Sequence, residues 1–180
     1  MLVGLAVALG AAAGAVAWAL QVAGAGRVER APRPSPLRYA RDVAALAASA
    51  LVEELVFRVA LVAAVGVPVA AIAFGAIHVV RGANRAERVA AVATAIAFGL
   101  VLGWAWTEHR SIAQLVAFHA AYNIGWGLVL GGAAIDPVSN DRDRPTATWP
   151  LAMRWRRAPG LPLLVLSELV PLAAVAPLLR

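Results

Sequence analysis

Glu53-Glu54-Leu55-Val56-Phe57-Arg58 lies inside an apolar run from about Val43 to Val65. Two carboxylates and a guanidinium thus stand where a lipid-facing helix could not keep them. Each such charge costs roughly 2.5–3.5 kcal/mol at the bilayer centre on insertion scales. Charges of this kind persist where they face a protein interior or a wet cavity, and there they commonly carry function. Two further polar pairs stand in later apolar segments: Phe74 with His78, and His119 with Asn123.

Composition sets the class. The 180 residues are 62% hydrophobic and only 14% charged, with mean hydropathy +0.76. Soluble domains are nearer 45–50% apolar and about 25% charged. The chain therefore reads as an all-α, polytopic membrane helix bundle. There is no cysteine, which excludes disulfides and thiolate metal sites. The sixteen basic residues are all arginine, and the net charge is +6. They fall in short connections between apolar segments, so the expected partner is lipid phosphate, not nucleic acid.

Six apolar segments are expected to be transmembrane: about Met1–Gly26, Val43–Val65, Val69–Val80, Val89–Thr107, Ile112–Ile135 and Leu161–Leu179. The first lacks the basic start of a signal peptide and exceeds its 7–15-residue apolar core, so it reads as a membrane helix. Gly66-Val67-Pro68 separates the second from the third, which is short for a span. Three parts follow. Residues 1–41 form a helix and a basic linker, 42–135 the polar-cluster core, and 136–180 a loop and a last helix. The connections 27–41, 81–88 and 136–160 hold thirteen arginines, and the opposite side holds Arg110 and Arg180. The positive-inside rule puts the thirteen in the cytoplasm and both termini outside, in a multi-pass cell-membrane protein. Trp149, Met153, Trp155, Arg156 and Arg157 read as an interfacial piece on anionic lipid. Gly10 and Gly14 are spaced for close helix packing.

Helix rise, about 1.5 Å per residue, gives depth. Glu53 and His78 lie about 20 and 18 Å from the Gly66 turn, on opposite arms of a helical hairpin. His119 and Asn123 lie about 14 and 20 Å past Arg110. All four fall in one layer. Spacing adds direction. Glu54 and Arg58 are i, i+4 with the acid first, which suits an ion pair. Glu53 points about 100° away from Glu54, which frees it for a cavity. His119 and Asn123 share a helix face. Taken singly, each cluster has a plainer reading: a structural ion pair, an interfacial histidine, interhelical hydrogen bonding. Phe74 reads as packing, His109 as solvated beside Glu108, and Glu168 beside Ser167 is unassigned. Jointly the clusters favour one buried site.

The motifs EELVFR (53–58), FGAIH (74–78) and HAAYN (119–123) resemble EExxxR, FxxxH and HxxxN of the CPBP family of intramembrane proteases, also called the Abi or CAAX prenyl protease-like family. The resemblance spans about 45–131. It implies an intramembrane endopeptidase that hydrolyses a peptide bond of a membrane-associated or lipidated substrate. Glu53 with His78 would activate a water, His119 and Asn123 would donate to the oxyanion, and Glu54 with Arg58 would support the site. No acyl-enzyme is implied. Two alternatives remain open: a catalytically silent immunity or scaffold protein, and an ion- or proton-coupled transporter. No cofactor is expected. A zinc site of Glu53, His78 and His119 is the metalloprotease alternative. Against zinc stand the absence of HExxH and the choice of asparagine beside His119.

Overall fold

The computed structural model describes residues 2–24, 36–80, 85–125 and 161–175, all of them helical apart from one tight connection. Helix α1 is Leu2–Gly24, α2 Pro36–Glu54, α3 Val62–Ile77, α4 Arg85–His109, α5 Ile112–Ile124 and α6 Leu161–Val175. Helix α2 runs without interruption into a π-helical stretch, Leu55–Leu61, and α3 ends in a 3₁₀ turn, His78–Val80. The expected all-α architecture is present. Two stretches are long and apolar enough to cross a membrane, Tyr39–Ile77 and Ala91–His109, while Val3–Ala17 is a shorter apolar helix.

The sharpest feature of the path is at Gly66. Its backbone has φ 81° and ψ 167°, a conformation essentially restricted to glycine. Pro68 follows and suits the first turn of the departing helix, where its missing N–H loses nothing. The chain reverses here. Phe57 and Phe74 would be about 25 Å apart along one continuous helix, yet their ring centroids are 5.1 Å apart. The helical hairpin read from Gly66-Val67-Pro68 is therefore present.

Helix limits differ from the expected segments in a consistent way. Helix α2 starts at Pro36, so Arg41 lies on its first turns and not in a linker. Helix α4 starts at Arg85, which takes Arg85 and Arg88 out of the expected connection. Hydropathy ends a segment at its first arginine. Backbone hydrogen bonding does not, because arginine is a good helix former. The expected continuation of α5 to Ile135, and the interfacial loop 136–160, lie outside the described residues.

Helix α5 packs between α1 and α2, α3 lies along α4, and α6 lies against α1 and α4. The α1–α5 seam is close because Gly10 has no side chain. A Cβ there would run into the Phe118 carbonyl and Ala121, as small residues at membrane helix contacts allow. Phe57, Phe74, Phe98, Leu102, Leu115 and Phe118 make the buried core. Large apolar side chains such as Val52, Val56, Val69, Ile72 and Leu100 face outward. An outward apolar face of this extent suits lipid as its solvent.

Candidate active site

Glu54, Arg58 and His119, three of the buried polar residues, converge at one place in this core. Glu54 is the last α-helical residue of α2, and Arg58 lies one turn on, inside the π-helical stretch. Both are almost wholly buried, and Arg58 Nε lies 3.3 Å from Glu54 Oε2. The contact is an ion pair whose angle does not make a hydrogen bond, since neither atom has a hydrogen-bond partner. The Arg58 guanidinium also stacks 4.4 Å from the centroid of the Phe74 ring, a cation–π contact that strengthens when desolvated. π-Helical turns recur at functional sites, and this one carries the helix past Glu53 and Glu54.

The link to α5 is short. His119 Nδ1 is 2.7 Å from Glu54 Oε1, across 65 positions of sequence. The other ring nitrogen, Nε2, is 3.7 Å from Glu53 Oε2. Adjacent glutamates thus meet the two sides of one imidazole. Glu53 is the less buried of the pair, with its side chain 15% exposed against 0% for Glu54. Ser49, one turn earlier on α2, donates its hydroxyl to Glu53 Oε1 at 2.7 Å. Of the two carboxylates, Glu54 is the one paired with arginine, while Glu53 is bonded to Ser49 and lies near His119.

His78 is also buried. Its Nδ1 is 2.7 Å from the Phe74 carbonyl, one turn back on α3, and the nitrogen donates there. Phe74 sits between the two histidines in contact terms, with ring centroids 4.6 Å from His78 and 6.3 Å from His119. Asn123 is half-buried one turn after His119 on α5. Glu53, Glu54, Arg58 and His119 are therefore in direct contact as a cluster, and His78 joins it through Phe74. Among the described residues no three His, Asp or Glu side chains are grouped so as to hold a metal ion.

Two contributors were not singled out from sequence. Ser49 has a usable signal, since it precedes Glu53 by four positions and so shares its helix face. Phe98 on α4 lies 5.4 Å from the His119 ring, edge to face. One phenylalanine among many apolar residues carries no such mark. Phe74, read as packing, does pack, but against the three groups Arg58, His78 and His119.

A carboxylate–imidazole cluster buried in an all-helical apolar fold is thus the site that this chain presents. Residues 38–125, just under half of the chain, match the family model described as type II CAAX prenyl endopeptidase Rce1-like. The matched segment is similar to that CAAX-protease-like family, and it contains every residue of the three motifs. No curated protein and no solved structure matches the chain.

Proposed function

We propose that the protein is an intramembrane endopeptidase that hydrolyses a peptide bond near the membrane-anchored end of a lipidated or otherwise membrane-associated peptide. The observation that carries this reading is Glu53. It is a partly exposed carboxylate with one oxygen held by Ser49 and the other turned to His119. A carboxylate and an imidazole close together in an apolar surround suit general-base activation of water. Asn123 and a histidine supply donors for the oxyanion, which a dry, preorganised site stabilises by several kcal/mol. The Glu54–Arg58 ion pair supports this arrangement and leaves Glu53 available. The match to a CAAX prenyl endopeptidase family favours a prenylated C-terminal peptide as the first substrate to try.

The surrounding bundle is read as six spans, with both termini outside and the arginine-rich connections in the cytoplasm. The reaction is read as metal-free. Purified full-length protein in lipid nanodiscs is offered a farnesylated CAAX peptide, the same peptide unmodified, and a pool of membrane-helix peptides. Cleavage of any of them that is lost in Glu53→Gln supports the peptidase reading, and the preferred peptide names the substrate class. A wild-type protein inert toward all three, yet correctly folded, overturns it in favour of the silent or transporter alternatives.

A further inference from the structure

Two charged groups stand near one another on one continuous helix and are not joined. Arg58 Nη1 and Nη2 are buried and have no hydrogen-bond partner among the described residues, and neither has Glu53 Oε2. Arg58 pairs through Nε with Glu54 at 3.3 Å. Its charge is nevertheless attracted by both carboxylates, by Glu54 more than by Glu53. Arg58 belongs to the π-helical stretch Leu55–Leu61. Hydrogen bonds there close over five residues instead of four, which turns Arg58 toward the side of Glu53, its fifth neighbour. A guanidinium with unpaired N–H groups and a carboxylate so placed are expected to close into a two-bond fork. What holds Glu53 apart is on its other side. Ser49 stands four residues before Glu53, outside the motif EELVFR, and its hydroxyl donates to Glu53 Oε1 at 2.7 Å. Helical side chains lean toward the N-terminus of their helix, so Glu53 reaches Ser49 in its preferred direction. Oε2 is left on the His119 side, 3.7 Å from Nε2. Ser49 is exposed on the outward face of α2, beside Ala48 and Val52. On such a face the plainer reading is that a hydroxyl takes the nearest acceptor. That reading does not explain why Glu53 and Arg58 stay apart.

We propose that Ser49 is a positioning residue: by donating to Oε1 it keeps the Glu53 carboxylate on the His119 side and withholds it from the Arg58 guanidinium. That this carboxylate acts in peptide hydrolysis rests on the peptidase reading above; where it is held does not. Without the hydroxyl, Oε1 loses its donor, and the side chain turns along the helix to the unpaired N–H groups of Arg58. A carboxylate held in a guanidinium fork has both oxygens occupied and is not available as a general base. Glu54 is already engaged at both oxygens, one beside Arg58 and one beside His119. Ser49 thus lets two adjacent carboxylates beside a single guanidinium keep different partners. None of this depends on how His119 is protonated.

The test reads the place of the carboxylate directly. Full-length protein labelled with ¹³C-glutamate and ¹⁵N-arginine is studied in nanodiscs by solid-state nuclear magnetic resonance, and the Glu53 carboxyl signal is the one lost in Glu53→Gln. In the wild type that signal is expected to show no contact of hydrogen-bonding length with an arginine side-chain nitrogen. In Ser49→Val the contact is expected to appear. In Ser49→Thr, which has the same shape and keeps the hydroxyl, it is expected to stay absent. On a cleaved peptide, Ser49→Val is expected to lower kcat by about three- to tenfold, the net worth of one hydrogen bond, with KM changed by less than about twofold. Ser49→Thr is expected to recover most of that loss. Because Ser49 is exposed, these variants leave the buried core intact, and Ser49→Ala repeats the comparison without a branched side chain. A hydroxyl that only satisfies itself would leave the Glu53 contacts the same in every variant. Three outcomes overturn the proposal: a Glu53–arginine contact in the wild type, no such contact in either Ser49→Val or Ser49→Ala, or the same kcat in Ser49→Val and Ser49→Thr. If the wild type cleaves no peptide, the peptidase reading fails, while the spectra still uphold or overturn the placing of Glu53.

Discussion

Glu53→Gln removes the base while keeping the acceptor for Ser49, and is expected to abolish cleavage in a protein that still accumulates in the membrane. His119→Ala and His78→Ala are expected to do the same. Asn123→Ala is expected to slow turnover by about 10²–10³, the scale of one oxyanion donor. Ser49→Ala loses one hydrogen bond at a partly exposed site, a net effect of about 0.5–1.5 kcal/mol, and is expected to slow turnover by about tenfold or less. Initial rates on one cleaved peptide check the whole series, and unchanged turnover in Glu53→Gln would sink the mechanism. A different outcome is expected for Arg58. Removing one member of a buried pair strands the other, at about 3–5 kcal/mol, so Arg58→Ala is expected to lower abundance and thermal stability as well as activity. Replacing both partners by apolar residues, Glu54→Leu with Arg58→Met, is expected to restore abundance without restoring turnover. Recovery of turnover in that double variant would show that the pair has no part in the reaction.

At the scale of the helices, the hinge at Gly66 brings Phe74 and His78 back beside Phe57 and Arg58. Its φ of 81° admits glycine alone without strain, although the space around it is open. Gly66→Ala is therefore expected to cost about 1–3 kcal/mol through the backbone, read as a lower unfolding temperature in detergent. Because strain on the hinge moves one arm against the other, activity is expected to fall along with stability. A Gly66→Ala protein as stable as the wild type would mean that the chain turns some other way. The hinge was legible in the sequence because glycine followed by proline interrupts an apolar run. The π-helical stretch over Leu55–Leu61 was not, since seven residues of ordinary composition do not announce a change in hydrogen-bond register. The helix starts at Pro36 and Arg85 were misjudged for the reason that hydropathy follows solvent and not the backbone.

At the scale of the whole molecule, the arginine distribution makes the strongest claim. Single cysteines near Arg33, Arg85 and Asp141 are expected to be shielded from an impermeant thiol reagent in intact cells, and cysteines near Arg110 to react. The chain has no cysteine of its own to confuse the measurement. Labelling of the Arg85 position from outside would overturn the orientation. The metal question is settled on the same purified protein. Active, chelator-washed enzyme is expected to hold no stoichiometric zinc. Activity that is lost with bound zinc and restored by adding it back would mean the metal alternative is right and the family unchanged.

The sequence by itself determined the membrane class, the helical hairpin, the Glu54–Arg58 pair and the burial of His78 and His119, but did not single out Asp42 or Ser167, which are also buried. These depend on local quantities: the desolvation cost of a charge in an apolar run, the spacing of one helical turn, the backbone freedom of glycine. Matching depths placed Glu53, His78, His119 and Asn123 in one layer, because helix rise is nearly constant. Depth, however, says nothing of rotation. Which histidine meets which glutamate depends on how each helix is turned about its axis, and that is fixed by packing between distant segments, such as the close approach of α1 to α5 at Gly10 and the stacking of Arg58 on Phe74. Only the tertiary structure therefore decided that His119 stands between Glu54 and Glu53, while His78 turns to the carbonyl of its own helix.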